Sequence, residues 1–325
     1  MQTRIGFVGT GFIANRHLGV LLEFEDVRVV AAADSQENQV RSFVDRCGAM
    51  AYTDPEEMLE RESLDALYIC VPPFAHGATE TAAVARDLPF FVEKPLAVDL
   101  ATAEQIARQV EEQRVTTAVG YHWRYLDTVE RAQELLRERP ARLALGYWLD
   151  FTPPPVWWTT AAQSGGQLVE QTTHIFDLAR LLAGEVTEVY AAGSRLERAA
   201  YPGMDIDDVS TVTLQFESGA VGTIASTCLL NWPHRIGLHL FSEGMAIELS
   251  EFELMVDVGQ GRPMQRAQGD PFVREDRDFI DAVQGKPNRI RAPYAEALRT
   301  HRLAVTAARS AREERPLVVS GEGEV

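Results

Sequence analysis

Short apolar runs alternate with amphipathic stretches over the first 120 residues of the chain. The predicted strands are Ile5–Val8, Val27–Ala33, Ala66–Val71, Phe90–Val92 and Thr116–Gly120. Helical patterns lie between them, near residues 13–24, 36–47, 55–61, 76–86 and 99–113. Continuously apolar strands that alternate with helices are typical of a parallel sheet covered on both faces. We therefore predict an α/β domain over residues 1–120 with a doubly wound parallel sheet.

The pattern changes after residue 120, where strands begin to follow one another. Strand-like segments lie at 141–151, 186–194, 209–217, 219–230, 236–241 and 245–250. Helices are predicted near residues 166–183, 272–284 and 294–312. This order is typical of an α+β domain with an open, mostly antiparallel sheet. We assign it to residues 121–325, and the last helix, about 294–312, is a candidate to pack back on the first domain.

Composition narrows the class of protein. The chain has 325 residues, enough for two domains, and its 31 Lys and Arg against 48 Asp and Glu give a net charge of −17. This acidity argues against nucleic acid and anionic membranes as partners. The three cysteines show no zinc spacing, so we expect no metal, and no apolar run approaches the roughly 18 residues of a membrane span. We expect a cytoplasmic protein.

A glycine motif directly follows the first predicted strand and opens a helix. Its residues are Gly9-Thr10-Gly11-Phe12-Ile13-Ala14. Gly9 permits a tight turn, Gly11 lets the backbone approach a pyrophosphate, and Ala14 keeps the helix close to the strand. The pattern indicates a Rossmann dinucleotide-binding loop; a glycine-rich turn without a ligand is the alternative.

Asp34 ends the second predicted strand, 20 residues beyond Ala14. A carboxylate there can accept hydrogen bonds from both ribose hydroxyls and would repel a 2′-phosphate. We therefore favour NAD over NADP as the cofactor. The alternative is that Asp34 only caps the next helix.

Two later strand ends carry further candidates. Pro72 and His76 follow the third strand, and Glu93-Lys94-Pro95 follows the fourth. Since ligands of such sheets bind at the carboxyl ends of the strands, we expect these residues to lie near the cofactor. Partial burial would lower the pKa of Lys94, and Glu93 is placed to orient its ammonium group. Alternatively, His76 is a helix cap and the Glu-Lys-Pro triplet an exposed loop.

A third segment places a histidine between two acids. On one helix, Glu170, His174 and Asp177 would stand at i, i+4 and i+7 and share a face. Such acids orient a histidine and stabilise its charged form, as a general base requires. A solvated polar face is the alternative, and zinc is disfavoured because no further ligand cluster accompanies the three.

Together these segments resemble the glucose–fructose oxidoreductase / inositol dehydrogenase / rhizopine-catabolism (Gfo/Idh/MocA) family of NAD(P)-dependent oxidoreductases. The resemblance covers nearly the whole chain. It implies that His174 is the general base and that Lys94 polarises the substrate oxygen or relays its proton. The chain differs at Glu170, where many members carry Asp, and this puts the role of that carboxylate in question.

Substrate contacts are expected at His122 and Arg124, near the predicted join between the domains, and at Trp158 in a charge-free loop. Packing of aromatic side chains is the alternative for both segments.

We predict an NAD-dependent dehydrogenase acting on a secondary alcohol of a sugar, cyclitol or sugar derivative. An NAD-retaining glycosidase and a non-catalytic sugar- or dinucleotide-sensing regulator are the competing interpretations. An open sheet also predicts a homo-oligomer, a dimer or tetramer formed through that sheet.

Overall fold

The computed structural model describes residues 2–319. The strands are β1 (Thr3–Val8), β2 (Val27–Ala33), β3 (Met50–Tyr52), β4 (Ala66–Ile69), β5 (Phe90–Val92), β6 (Thr117–Val119), β7 (Leu143–Phe151), β8 (Val186–Ser194), β9 (Val209–Phe216), β10 (Val221–Leu230), β11 (Arg235–Ser242), β12 (Met245–Leu249), β13 (Glu253–Asp257), β14 (Met264–Arg266) and β15 (Leu317–Val318). The helices are α1 (Phe12–Leu21), α2 (Glu37–Val44), α3 (Pro55–Arg61), α4 (Ala78–Ala85), α5 (Leu100–Gln113), α6 (Asp127–Glu138), α7 (Ala161–Ser164), α8 (Gln167–Glu170), α9 (Thr173–Ala183), α10 (Pro271–Val283) and α11 (Tyr294–Glu313).

These elements form two compact units. The first contains the described residues up to His122 together with Asp270–Leu298, and the second contains Trp123–Gly269 together with the described residues from Arg299 onward. Helix α10 thus belongs to the first unit, whereas the sequence pattern placed it in the second domain. The sequence of α10 predicts an amphipathic helix, but it does not indicate which of the two sheets the apolar face packs against.

The first unit is built on a six-stranded parallel sheet in the order β3-β2-β1-β4-β5-β6. Its central strands are buried along their whole length, as their continuous apolar sequence predicts. Two apolar clusters pack against it, one containing α1 and α10 and the other α4, α5 and the first turn of α11. The predicted doubly wound Rossmann sheet is confirmed.

The second unit is built on a nine-stranded sheet in the order β14-β13-β12-β11-β7-β10-β9-β8-β15. All neighbouring strands are antiparallel except β7 and β10. The strands alternate between buried and exposed residues, most clearly in β9, because helices cover only one face. The predicted open, mostly antiparallel sheet is confirmed, and the homo-oligomer inferred from it stays a prediction.

Helix α9 packs closely on this sheet because Gly146 of β7 has no side chain. A Cβ at Gly146 would lie 2.6 Å from Cγ2 of Ile175 in α9.

No helix within residues 2–319 combines the length and apolar character needed to cross a membrane.

Candidate active site

The glycine loop leaves an open surface at the start of α1. Gly9 has φ of +85°, and a Cβ there would lie 2.3 Å from the carbonyl oxygen of Cys70, so the fold itself requires glycine. Gly11 is different, since a Cβ at this position would meet no atom within 4 Å. The first turn of α1 contains no acid, and the neighbouring Phe12 is 90% exposed. An unobstructed helix N-terminus with free backbone amides suits a pyrophosphate, so these residues fit a dinucleotide.

Asp34 lies beside this loop and is held in place by it. Its Oδ2 atom accepts hydrogen bonds from the backbone nitrogen of Thr10 at 2.9 Å and from Thr10 Oγ1 at 2.8 Å. Its Oδ1 atom accepts from the backbone nitrogen of Gln36 at 2.9 Å. The carboxylate therefore has a fixed direction at the end of β2, as a ribose acceptor requires.

His76 is buried at the start of α4. Its Nδ1 atom lies 2.5 Å from Oε1 of Glu80, whose Oε2 accepts the backbone N–H of Gly77 at 2.7 Å. Its Nε2 atom has no hydrogen-bond partner among residues 2–319. Glu80 rather than His76 therefore caps the backbone at the start of α4, and a contact of His76 or of Pro72 with the cofactor stays a prediction.

Glu93 occupies the end of β5 and is 4% exposed. One of its oxygens, Oε1, lies 3.0 Å from Nε2 of His17, and the other accepts the backbone N–H of Lys94 at 3.2 Å. A Cβ at Gly120 would lie 2.3 Å from the same Oε1, so glycine is needed there to make room for the carboxylate. Glu93 thus holds the backbone of the Lys94 turn rather than forming part of an exposed loop.

His17, which the sequence patterns did not single out, is fully buried in α1. Its Nδ1 atom lies 2.8 Å from Oδ1 of Asp276 in α10, and this oxygen also accepts from the hydroxyl of Tyr68 at 3.1 Å. Its available signal is a histidine on the otherwise apolar, buried face of α1, six residues after Gly11. Its partners are 76 and 259 residues away, so the sequence alone does not reveal them.

Lys94 is half-buried and is one of only two lysines in the chain, the other being Lys286. Arginine supplies the remaining basic side chains. An amine changes its protonation state more readily than a guanidinium, so lysine suits the proton-relay role predicted for residue 94. Rarity alone does not identify such a role, because Lys286 lies on the surface in an ion pair with Asp281.

The helix expected over residues 166–183 is interrupted in the structure. Helix α8 ends at Glu170 and α9 begins at Thr173. At the break, Thr172 Oγ1 lies 2.8 Å from Ser226 Oγ of β10, so a contact with the sheet replaces helical continuity. The expectation that Glu170, His174 and Asp177 share one face of a continuous helix is therefore wrong.

His174 lies in the first turn of α9 and is 5% exposed. Its ring stacks on Trp148, with 5.7 Å between the ring centroids and 17° between the planes. Packing of this kind restricts the rotation of the imidazole, as a general base requires.

Asp177 and Arg124 form a buried pair in the second unit. Nε and Nη2 of Arg124 donate to the two oxygens of Asp177, each at 2.7 Å, and Thr300 Oγ1 donates to Oδ1 at 2.8 Å. A bidentate pair of this kind is strong and geometrically specific. Asp177 therefore orients Arg124, a role that differs from the predicted support of His174.

Glu170 accepts a hydrogen bond from Nε1 of Trp158 at 2.6 Å. Trp158 is 1% exposed and packs with Ile206 and Cys228. The indole is thus covered by Ile206 and Cys228, which agrees with the packing alternative, and a contact of Trp158 with substrate stays a prediction. The longer Glu170 side chain has a partner that holds its carboxylate.

His122, predicted as a substrate contact, belongs to the first unit and stacks on Phe272 of α10. Their ring centroids lie 4.5 Å apart with 21° between the planes. The stacked geometry agrees with aromatic packing, and a contact of His122 with substrate stays a prediction.

Among the residues that the structure describes, no group of three His, Cys, Asp or Glu is arranged to hold a metal ion.

Comparison with known proteins gives matches over most of the chain. Residues 3–121 match the model of the Gfo/Idh/MocA oxidoreductase family with its NAD-binding Rossmann fold. Residues 138–247 match the model of the C-terminal domain of the same family.

Individual relatives include two inositol dehydrogenases. The myo-inositol 2-dehydrogenase of Thermotoga maritima is 30% identical over 227 residues, which cover 68% of this chain and 67% of that protein. The inositol 2-dehydrogenase of Rhizobium meliloti is 25% identical over 335 residues, covering 98% and 100%.

The fold is shared with the WlbA dehydrogenase of Bordetella pertussis, solved in complex with NADH and UDP-GlcNAcA. That structure has a TM-score of 0.86 and 20% sequence identity, and the match covers 99% of this chain and 100% of that one. The two family models, the glycine loop and the two sheets agree: this chain belongs to the Gfo/Idh/MocA family of oxidoreductases.

Proposed function

We propose that the protein is an NAD-dependent dehydrogenase that oxidises a secondary alcohol of a sugar, cyclitol or sugar derivative. The observation that carries this proposal is the fixed turn at Lys94, which Glu93 holds at the carboxyl end of β5 in a Rossmann sheet. Ligands of such sheets bind at the carboxyl ends of the strands. The relationship to two inositol dehydrogenases supports the substrate class.

Bound NAD would accept the hydride from the carbinol carbon. Lys94 would donate a hydrogen bond to the reacting oxygen and stabilise the charge that develops there. His174 would accept the hydroxyl proton, its ring held by Trp148. The two residues are assigned to one reaction on the family resemblance.

A panel of sugars and cyclitols, followed at the NADH absorption band, tests this function. Lys94→Ala should lower turnover about 100-fold or more while leaving NAD affinity nearly intact. Lys286→Ala is the matched control because it removes the other lysine, which pairs with Asp281 on the surface. Equal turnover of wild type and Lys94→Ala would remove Lys94 from the reaction. Aglycone release without net NADH would indicate the glycosidase, and binding without turnover the regulator.

We propose NAD rather than NADP as the cofactor. The support is Asp34, whose carboxylate Thr10 and Gln36 hold in a fixed direction. An ionised carboxylate in that place accepts ribose hydroxyls and repels a phosphate.

Asp34→Ala should weaken NAD binding about tenfold, the loss of roughly one charge-assisted hydrogen bond, and should narrow the gap to NADP. Isothermal titration calorimetry with both dinucleotides measures this. Glu37→Gln is the control, since it removes a nearby exposed charge and leaves Asp34 intact. Equal affinity of the wild type for NAD and NADP would contradict the proposal.

A further inference from the structure

His17 connects three elements of the first unit through one side chain. It extends from α1, the helix that starts at the glycine loop, and its two ring nitrogens face Glu93 at the end of β5 and Asp276 of α10. The distances are 3.0 Å from Nε2 to Glu93 and 2.8 Å from Nδ1 to Asp276. The ring also lies edge-on to Phe91 and Phe272, which exclude water from it.

The two carboxylates determine the charge of this histidine. A neutral imidazole donates from only one nitrogen, so two ionised acceptors require both nitrogens to carry protons. Burial opposes the charge, but the attraction and hydrogen bonds of Asp276, followed by those of Glu93, raise the pKa of His17 well above its usual value. Burial also raises the pKa of the carboxyl groups of Asp276 and of the neighbouring Glu275. The raised pKa of His17 favours the imidazolium, in which both ring nitrogens donate to the two carboxyl groups.

Its effect reaches Lys94 through Glu93. With Oε1 held by His17, the second oxygen of Glu93 accepts the backbone N–H of Lys94. Gly120 lets the carboxylate lie in this position, since any side chain there would displace it. Two contacts therefore separate His17 from the backbone of Lys94.

We propose that His17 is a positioning residue for Lys94, which it holds in place through the Glu93 carboxylate. The contribution of this contact to turnover rests on the proposed function, whereas the contact itself does not. Loss of the contact between His17 and Glu93 should make the backbone turn at Lys94 more mobile. Helix α1 should stay packed, because Leu18 and Leu21 remain buried.

Two substitutions separate this role from simple packing. The amide nitrogen of Gln reaches about as far as Nε2 of histidine, so His17→Gln can still donate to Glu93. The amide nitrogen of Asn reaches only to the position of Nδ1, so His17→Asn keeps the Asp276 contact and loses Glu93. Both variants lose the positive charge. Gly19→Ala in the same helix is the control, because a Cβ placed at residue 19 would have no atom within 4 Å.

The measurement is the rate at which an amine-reactive acetylating reagent labels Lys94 relative to Lys286, quantified by peptide mass spectrometry. Since these are the only lysines, each protein carries its own reference. In His17→Asn the Lys94 to Lys286 ratio should rise roughly threefold or more, because local opening exposes the amine. It should stay within about twofold of wild type in His17→Gln and in Gly19→Ala. On an active substrate, kcat should follow the same order, falling about tenfold or more in His17→Asn with little change in KM for NAD.

Equal labelling ratios in folded wild type, His17→Gln and His17→Asn would overturn the proposal. An equal rise of the ratio, or an equal loss of kcat, in the two variants would also overturn it. If His17→Asn does not fold, Gly120→Ala displaces Glu93 from the opposite side and should raise the Lys94 ratio in the same way. An unchanged ratio in folded Gly120→Ala would also overturn it. A wild-type protein without turnover on any polyol would refute the proposed function, yet the labelling ratios would still test His17.

Discussion

Two glycines of the cofactor loop are required for different reasons. At Gly9 the positive φ and the carbonyl oxygen of Cys70 exclude a side chain within the protein itself. At Gly11 the backbone is extended, with φ of −71°, and a Cβ would face open space. The fold does not need glycine at residue 11, and its place at the start of α1 in the Rossmann loop makes a role in pyrophosphate binding a prediction.

Gly11→Ala should leave the free energy of unfolding unchanged or raise it by about 0.5 kcal/mol, since alanine restricts the unfolded chain. NAD affinity should fall about tenfold, because the new methyl group occupies the path of the pyrophosphate. Urea unfolding and calorimetric titration measure the two quantities.

Gly9→Ala is the comparison variant and should instead lower the free energy of unfolding by about 2 kcal/mol, from backbone strain and the clash with Cys70. If Gly11→Ala binds NAD as tightly as wild type, the loop does not hold the pyrophosphate.

Single residues were predictable from sequence where their contacts are local. Asp34 lies at the end of β2 and accepts the backbone N–H of Gln36, as the strand end and the helix-cap alternative predicted, whereas its contact with Thr10 was not predicted. The environment of Trp158 was not predictable, because a charge-free loop has the same sequence whether its indole is exposed or covered. His17 illustrates the same limit, since two distant acids determine its chemistry.

At the scale of elements, α10 is tied to the start of β2 by a partly exposed ion pair. Nη1 of Arg277 donates to Oδ1 of Asp26 at 2.8 Å, and Gln284 donates to the other oxygen at 3.0 Å. The hydrogen bond from Arg277 lowers the pKa of Asp26 from 3.8 to about 2. The folded protein therefore favours the ionised carboxylate more than the unfolded chain does.

Asp26→Asn should lower the free energy of unfolding of the first unit by about 1 kcal/mol at neutral pH, a value reduced for solvent screening because the side chain is 39% exposed. The difference in free energy of unfolding between wild type and Asp26→Asn is fully present above pH 3.8 and is lost as the pH falls toward 2. Urea unfolding at several pH values should show the two proteins converging in acid. The exposed Glu23→Gln on the same loop is the control, and a gap that stays constant with pH would contradict this assignment.

Elements were predictable where the apolar pattern is long, as in the central strands of both sheets, whereas β3, β13 and β14 were not predicted. Helix α6 was missed although Val129, Ala132, Leu135 and Leu136 mark its apolar face, because the other eight of its residues are polar. The break between α8 and α9 carries no glycine or proline, and Thr172 at the break lies against Ser226 of the sheet. Tertiary contacts of this kind override local helical preference.

At the scale of the molecule, the net charge of −17 and the family assignment constrain different properties. The charge describes solubility and disfavours polyanionic partners. The family, with its Rossmann sheet and second open sheet, defines the kind of chemistry but not the substrate. The three candidate functions, dehydrogenase, NAD-retaining glycosidase and regulator, differ in whether a hydride is transferred to NAD and stays there.

The most direct test of the central claim follows that hydrogen. The polyol with the highest turnover in the panel is deuterated at its carbinol carbon and mixed with NAD and the intact protein, and the nicotinamide is analysed by mass spectrometry. We predict one deuterium in each NADH formed, with no such product from Lys94→Ala in the same time and normal yield from Lys286→Ala. The absence of deuterated NADH with every polyol, or NADH that carries no deuterium, would contradict the account.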